Sequence, residues 1–188
     1  MTRTYEENHL RFEFGPQWIV EKYDDHRDYR EKAARLSGTK AVDFVGVYAN
    51  AEGFVIEVKD FRGFRLQNKK RLTSGELAEE VALKVRDTLA GLVGAYRTSC
   101  DPDIWQPYVH TIANRNKVLK VVLWLEDDMA KNAQEWRQQA STLQNAIKRQ
   151  TSWVTARVLV LNQQMGRVTP DLTVSDLPGA GHPGGSGC

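Results

Sequence analysis

Three charged side chains lie within otherwise apolar strand-like segments of residues 41–63, AVDFVGVYANAEGFVIEVKDFRG. They are Asp43, Glu57 and Lys59. The stretch has the composition of two short strands joined by a tight turn. Burying carboxylates and an ammonium group in such strands is costly unless the charges pair with one another or bind a metal. This hairpin is therefore the first candidate for a functional site.

The pairing register of the two strands decides which of these side chains meet. The turn through residues 49–53 is centred near Asn50. Pairing that is symmetric about Asn50 sets Asp43 directly across from Glu57, whereas a shift by two residues sets it across from Lys59. Both faces of the strands are largely apolar, which predicts an interior pair of strands covered on both sides. In either register the three charges form one cluster.

A cation between the two carboxylates would resolve their repulsion. Carboxylate, carbonyl and water oxygens are the ligands that Mg²⁺ prefers, and this ion often binds substrate phosphate as well. It polarises a phosphoryl oxygen and lowers the pKa of an attacking water. Lys59 points to the same face as Glu57, where it could orient that water or stabilise developing charge. The simpler alternative is a cross-strand ion pair on an exposed face, against which the valines of the same face argue.

Asp43, followed after thirteen residues by Glu57-Val58-Lys59, resembles the motif of the PD-(D/E)XK nuclease superfamily. In that family the acid lies on one strand and the (D/E)XK triplet on the next, in the antiparallel part of the sheet. The resemblance implies a restriction-endonuclease-like fold and Mg²⁺-dependent hydrolysis of phosphodiester bonds, with Mn²⁺ able to substitute. It implies that Asp43, Glu57 and Lys59 are catalytic. The two carboxylates and the Val58 carbonyl would bind the metal, and Lys59 would orient the water.

Two further positions bear on this resemblance. Val42 stands where the family often has proline, at a position that frequently varies. Many members also add a glutamate from an N-terminal helix. Glu21 and Glu31 are both candidates for that role, and the sequence does not choose between them.

Basic residues follow the hairpin closely. Residues 60–74 are predicted to form a loop, and its cations either contact nucleic-acid phosphates or are merely solvated. The candidates are Arg62, Arg65, Lys69, Lys70 and Arg71. Lys84 lies beside the apolar stripe of the next helix, where it either extends to solvent or contributes to the site and to nucleic-acid binding. Asp60 points to the opposite strand face, which favours a salt bridge to Arg62 or Arg65.

The rest of the chain predicts an α/β fold with a mixed central sheet flanked by helices. Alternating apolar residues predict a strand at Leu10–Phe14, and apolar, strand-like segments predict two more at Lys117–Leu125 and Trp153–Leu161. Helical periodicity predicts helices over Val20–Leu36, from a Ser74 cap to Tyr96, and from Asp127 or Asp128 to Gln150. The tryptophans expected in the core are Trp105, Trp124, Trp136 and Trp153.

Length and composition bound the class of protein. The 188 residues predict one domain over residues 1–165, followed by a Gly/Pro-rich tail over 166–188 that is too poor in apolar residues to pack. The net charge of +2 permits a polyanionic partner without requiring one. There is neither a membrane-length apolar run nor a secretory leader, so no membrane partner is expected. With only Cys100 and Cys188, no disulfide framework or thiolate metal site is expected, which favours a cytoplasmic location.

These observations favour a small Mg²⁺-dependent nuclease that cuts DNA rather than RNA. We expect target selection to come from a partner protein or from homo-oligomerisation, and a setting in prokaryotic antiviral defence or DNA processing by analogy with other compact nuclease domains. The alternative is a catalytically inactive module of the same fold that binds nucleic acid or a protein complex. A phosphate-binding enzyme of another class is less favoured because the chain lacks a Gly-rich phosphate loop.

Overall fold

The computed structural model describes residues 1–128, 130, 132–165 and 169–178, together with their side chains except those of residues 65–67 and 69. These residues form three layers. A mixed five-stranded sheet lies in the middle, helices pack on one of its faces, and a three-stranded antiparallel sheet covers the other. The α/β class and the mixed central sheet are confirmed. The prediction that helices flank both faces is wrong, because the second face is covered by strands.

The central sheet has the strand order β3-β4-β5-β6-β7. Its strands are β3 (Trp18–Lys22), β4 (Phe44–Tyr48), β5 (Glu52–Asp60), β6 (Val118–Glu126) and β7 (Val158–Leu161). The first three strands pair antiparallel, and β5, β6 and β7 pair parallel. Parallel neighbours require crossover connections, which the helices supply.

The helices are α1 (Arg27–Glu31), α2 (Arg65–Thr73), α3 (Glu76–Thr98), α4 (Gln106–Ala113) and α5 (Ala133–Thr151). The predicted apolar stripe of α3 is confirmed, since its residues are buried against the sheet: Ala78, Ala82, Val85, Leu89 and Leu92. Trp136, Leu143 and Ile147 of α5 join the same core. None of the helices in the described ranges is both long enough and apolar enough to cross a membrane.

The three-stranded sheet has the order β1-β2-β8, built from β1 (Arg3–Glu7), β2 (Leu10–Phe14) and β8 (Leu172–Asp176). The predicted alternation in β2 is confirmed, because Leu10, Phe12 and Phe14 are buried. The Phe12 ring packs on Phe44 and Trp124 of the central sheet, and the Phe14 ring packs on Phe44. This aromatic layer seals the face of the central sheet that lies opposite the helices.

The hairpin of β4 and β5 is paired symmetrically about Asn50, with Tyr48 opposite Glu52 and Phe44 opposite Ile56. The Ala51 N–H donates to the Tyr48 carbonyl at 3.0 Å and closes the turn. Both strands lie inside the sheet and are covered on both faces, as predicted. Of the two registers that the sequence left open, the symmetric one is therefore the one adopted.

Five predictions of secondary structure are wrong. Helix α3 is capped by Gly75, in the left-handed backbone region, and not by Ser74. The segment Val20–Leu36 is not one helix: Trp18 and Val20 are buried while Ile19 is exposed, which is the two-residue period of strand β3. Part of the predicted loop over residues 60–74 is helix α2. The predicted strand Trp153–Leu161 is confined to β7, and Trp153 is 61% exposed, not part of the core. Helix α5 is capped by Asn132, whose side chain accepts from Gln134 and Glu135, and not by Asp127 or Asp128.

The predicted tail over residues 166–188 also needs correction. Strand β8 lies within it and pairs antiparallel with β2, and Leu172 is buried in the aromatic layer. Alternation of Leu172 and Val174 with polar residues gives the segment one apolar face, which is enough for an edge strand covering a sheet. Residues 166–168 and 179–188 lie outside the described ranges.

Candidate functional site

The three predicted catalytic residues come together at one end of the β4–β5 pair. Asp43 immediately precedes β4, and continuing the observed register by one residue places it beside Glu57 of β5. Asp43 is 6% exposed and Glu57 is 1% exposed. Lys59 follows on the same face of β5, towards helix α3. The hairpin therefore buries two acids side by side with a lysine next to them.

Burial makes Asp43 a weak acid. Its Oδ2 accepts a hydrogen bond of 2.6 Å from the Val58 N–H. Desolvation and the neighbouring Glu57 charge raise the pKa of Asp43 to about 8, against the opposing effects of Lys84 and the Val58 hydrogen bond. At neutral pH the metal-free protein therefore holds a proton on this carboxyl.

The two oxygens of the Glu57 carboxylate differ sharply. Oε1 lies 2.7 Å from the Lys59 ammonium group and 2.7 Å from that of Lys84. Oε2 is buried and has no hydrogen-bond partner in the described part of the chain. A buried carboxylate oxygen without a donor is costly, so such an atom indicates a place where a ligand is expected.

Lys59 is held by two carboxylates. Its ammonium group contacts Glu57 at 2.7 Å and Glu80 of α3 at 3.0 Å. Burial alone would lower the pKa of Lys59, but the two carboxylates outweigh it and raise that pKa. Glu80 also binds Arg71 of α2. For Glu80 burial likewise opposes the charged form, and the two cations outweigh it, so the pKa of Glu80 is lowered.

A second group of acids approaches Asp43 from the N-terminal part of the chain. Carboxylate oxygens of Glu7 and Asp24 lie within 4.8 Å of one another and of an Asp43 oxygen. Lys22 partly neutralises this group, with its ammonium 2.8 Å from Glu7 and 3.2 Å from Asp24. The carboxylates that the structure places near Asp43 thus come from the end of β1 and from the loop after β3.

Neither candidate for an additional acid from the sequence belongs to this group. Glu21 lies on β3 and its carboxylate contacts Arg3 at 2.6 Å. Glu31 lies on α1 and is exposed. The predicted N-terminal helix is replaced by strand β3 and the short helix α1, and neither brings its glutamate to Asp43.

The predicted nucleic-acid-binding residues are in different environments. Lys84 lies inside the site, on Glu57. Arg71 points inward to Glu80 and stacks over the Phe61 ring at 5.1 Å. Lys70 is exposed on α2, 3.5 Å from Glu76. The side chains of Arg65 and Lys69 lie outside the described residues.

Arg62 follows the end of β5 and binds Asp60, which lies on the face of β5 opposite the site. Its guanidinium binds Asp60 at 2.8 Å and Asp176 of β8 at 2.7 Å, which confirms the predicted salt bridge with Asp60. Any contact with a phosphate would have to compete with these two carboxylates. The prediction that Arg62 binds nucleic acid is not supported by this position.

Four residues of the site were missed by the sequence reasoning: Glu7, Lys22, Asp24 and Glu80. A signal existed for Glu80, which precedes Lys84 by four residues on α3 and so shares a helix face with it. No local pattern marks Glu7 or Asp24, because only the packing of β1 and of the β3–α1 loop brings them to Asp43.

The site is defined by its geometry and chemistry alone. Asp43, Glu57 and the acids of the N-terminal part offer hard oxygen ligands, and Lys59 and Lys84 offer cationic donors beside them. No family model matches the chain, and neither a curated protein nor a solved structure matches it.

Proposed function

We propose that the protein is a Mg²⁺-dependent nuclease that hydrolyses phosphodiester bonds, with DNA rather than RNA as its substrate. The observation that carries this proposal is the convergence of Asp43, Glu57 and Lys59 at one end of a buried hairpin, with Glu57 Oε2 unpaired among the described residues. Two adjacent buried carboxylates repel each other and destabilise the fold, whereas a bound metal ion would use the same oxygens as ligands.

The topology around the hairpin supports a restriction-endonuclease-like core. Three antiparallel strands, β3, β4 and β5, are followed by a helical connection to β6, which pairs parallel with β5. The acid stands at the start of the second of these strands and the Glu-x-Lys triplet on the third. This is the arrangement that the resemblance to the PD-(D/E)XK nucleases implies.

The donor set fits Mg²⁺. Asp43 and Glu57 supply carboxylate oxygens on neighbouring strands. The Val58 N–H is directed at Asp43, and the N–H and carbonyl of one strand residue face the same neighbouring strand, so the Val58 carbonyl also faces that side. Glu7 and Asp24 offer further oxygens beyond Asp43. A bound Mg²⁺ would polarise the scissile phosphate and acidify an attacking water.

The chain's own groups then have distinct tasks. Lys59 would orient the attacking water or stabilise charge on the phosphoryl oxygens, since its ammonium is within hydrogen-bonding distance of Glu57. Lys84 would contact a phosphate or the leaving group from α3. The exposed cation Lys70 of α2, on the segment that follows the triplet, would contact the nucleic-acid backbone.

A catalytically inactive module is the second candidate, and one observation favours it. Lysines already neutralise the acids: Lys59 and Lys84 contact Glu57, and Lys22 contacts Glu7 and Asp24. A cluster compensated in this way could persist without metal in a protein that only binds nucleic acid or a protein complex. For the active protein, targeting would come from a partner protein or a homo-oligomer, and antiviral defence or DNA processing is the proposed setting.

Metal binding and cleavage assays separate the two candidates. Wild type would be titrated with Mn²⁺ by calorimetry and incubated with plasmid, linear and single-stranded DNA and with RNA, in Mg²⁺ or Mn²⁺. The test variants are Asp43→Asn and Lys59→Met. Asp103→Asn and Lys148→Met, at exposed positions, are the matched controls.

An active nuclease binds Mn²⁺ and cleaves DNA, and both test variants lose at least about 100-fold in rate while the controls do not. Nucleic-acid binding without cleavage or metal binding would instead establish the inactive module. Cleavage that survives in both test variants would place the active site elsewhere.

A further inference from the structure

Lys59 and Lys84 meet at the same oxygen of Glu57 but differ in what else holds them. Both ammonium groups lie 2.7 Å from Glu57 Oε1. Lys59 also lies 3.0 Å from Glu80 Oε1. For Lys84, Glu57 is the one carboxylate in ion-pair contact within the described ranges. One lysine therefore has a second anchor and the other does not.

This difference matters once a divalent cation occupies Glu57. The cation competes with both ammonium groups for the carboxylate and repels them, because all three carry positive charge. Lys59 can keep its contact with Glu80 while it gives up Glu57. Lys84 has no second carboxylate at ion-pair distance in the described ranges, and Asp43, which also feels its charge, would be engaged by the same cation, so Lys84 is the ammonium group that is expected to leave.

Glu80 is itself fixed from its other side. Its Oε2 binds the guanidinium of Arg71, which lies over the Phe61 ring. Among the described residues, Arg71 has no ion pair with a second carboxylate. Lys59 and Arg71 thus divide the two oxygens of Glu80 between them. A carboxylate held in this way is a rigid anchor for a lysine, which on its own is a flexible side chain with many rotamers.

We infer that Glu80 is a positioning residue that keeps the Lys59 ammonium group at the reacting phosphodiester when a metal ion occupies Glu57. The inference rests on the proposed function, which did not include Glu80. It also assigns Arg71 to the support of Glu80 and not to direct phosphate binding, and it makes Lys84 the counter-ion of the metal-free state.

The test is the substitution Glu80→Gln, which keeps the shape of the side chain and removes its charge. Glu79→Gln is the matched control, because Glu79 is an exposed neighbour on the same helix. In the full-length protein we expect Glu80→Gln to lower kcat on DNA by about 10- to 100-fold, with KM and the Kd for Mn²⁺ within about twofold of wild type. Glu79→Gln should leave all three constants unchanged, and Glu80→Asp should recover part of the lost kcat.

A double-mutant cycle excludes a merely structural role. In the Lys59→Met background, under single-turnover conditions with excess enzyme, Glu80→Gln should cause no further loss beyond about twofold, because it acts through Lys59. Thermal melting of each variant confirms folding, and Glu80→Ser replaces Glu80→Gln if the latter does not fold.

Three outcomes overturn the inference. Wild-type kcat in Glu80→Gln would show that Glu80 does not position Lys59. A full additional loss in the Lys59→Met background would show that Glu80 acts independently of Lys59. A wild-type protein that neither binds Mn²⁺ nor cleaves nucleic acid would overturn the proposed function and this inference together, whereas an active wild type with an equally active Glu80→Gln overturns the inference alone.

Discussion

The two faces of strand β5 carry charge clusters of opposite character. On the helix face, Glu57 and Lys59 belong to a group in which one buried carboxylate oxygen is unpaired among the described residues. On the other face, Asp60 accepts from both the guanidinium and the backbone N–H of Arg62, and Arg62 also holds Asp176. Residues that are neighbours in sequence thus serve a candidate site on one face and join two sheets on the other.

The pKa directions express the same contrast. Burial dominates at Asp43 and raises its pKa to about 8, with the Glu57 charge adding to the effect. Burial also acts on Asp60, but the Arg62 hydrogen bonds outweigh it and the pKa of Asp60 is lowered. A carboxyl whose pKa is raised by burial is typical of a functional site, whereas a carboxylate whose pKa is lowered by a cation is typical of a structural ion pair.

The largest expected effect is a loss of activity, and we expect it for a substitution on the helix face of β5 but not for one beside the other face. Lys59→Met should lower kcat by about 100-fold or more, with little change in stability because Glu57 keeps Lys84 and Glu80 keeps Arg71. Arg62→Met should leave kcat within about twofold of wild type and lower the free energy of unfolding by about 2–4 kcal/mol, since it removes the guanidinium from the buried Asp60 carboxylate and leaves it the contact with His9 at 3.2 Å. The measurements are steady-state cleavage and urea denaturation. A fall in kcat for Arg62→Met at unchanged stability would return Arg62 to the phosphate-binding residues.

The next prediction is that neutralising Asp43 and neutralising Asp60 change the free energy of unfolding in opposite directions. Asp43 has a raised pKa in the folded protein, so its contribution to stability is present at acid pH and is lost as pH rises from about 4 towards 8. Asp43→Asn should therefore stabilise the metal-free protein by about 1–3 kcal/mol at pH 8. Asp60 has a lowered pKa, so its contribution is present above its ordinary pKa and is lost as pH falls below it. Asp60→Asn should destabilise by about 1–2 kcal/mol at the same pH. If urea denaturation showed that both variants change the free energy of unfolding in the same direction, the distinction between the two faces of β5 would be wrong.

Metal binding should depend on pH because Mg²⁺ or Mn²⁺ must displace the proton of Asp43. We expect the Mn²⁺ affinity to rise by about tenfold between pH 6 and pH 7 and to level off above the Asp43 pKa of about 8. Calorimetry in buffers of different ionisation enthalpy should report about one proton released per ion bound at pH 7. An affinity that does not vary over this range would mean that Asp43 is not a ligand. Asp60→Asn is the control and should leave the pH dependence unchanged.

The smallest expected effect concerns the surface of α2. Lys70→Met should weaken DNA binding by about two- to threefold and reduce the slope of log affinity against log salt by about one, because Lys70 is exposed and a phosphate can replace its solvent-exposed contact with Glu76. Arg62→Met should leave that slope unchanged, since its guanidinium is engaged by Asp60 and Asp176. Filter binding at several salt concentrations measures both slopes. An equal reduction of the slope in the two variants would show that Arg62 contacts DNA as Lys70 does.

The accuracy of the sequence-based predictions follows the range of the interactions involved. The turn near Asn50 and the two-residue period of β5 sufficed to place Asp43, Glu57 and Lys59 in one cluster and to put Asp60 on the other strand face, whereas the pairing of Asp43 with Glu57 came from the structure. The helix predicted over Val20–Leu36 failed because its charged residues resembled a helix face, whereas pairing with β4 made its first part a strand. Strand β8 was missed because five residues with two apolar side chains gain most of their stability from β2 and the aromatic layer.

The sequence by itself therefore determined the hairpin and the identity of the three central charges and limited the register to two alternatives, because these depend on turn chemistry and on alternation along adjacent strands. The structure decided that the register is the symmetric one. Only the tertiary structure decided which groups surround them. Glu7 and Asp24 reach Asp43 through the packing of a second sheet and a loop, and Glu80 and Lys84 reach the triplet through the docking of α3 on the sheet. Contacts between elements far apart in the chain depend on how whole faces pack, and no local period records that packing.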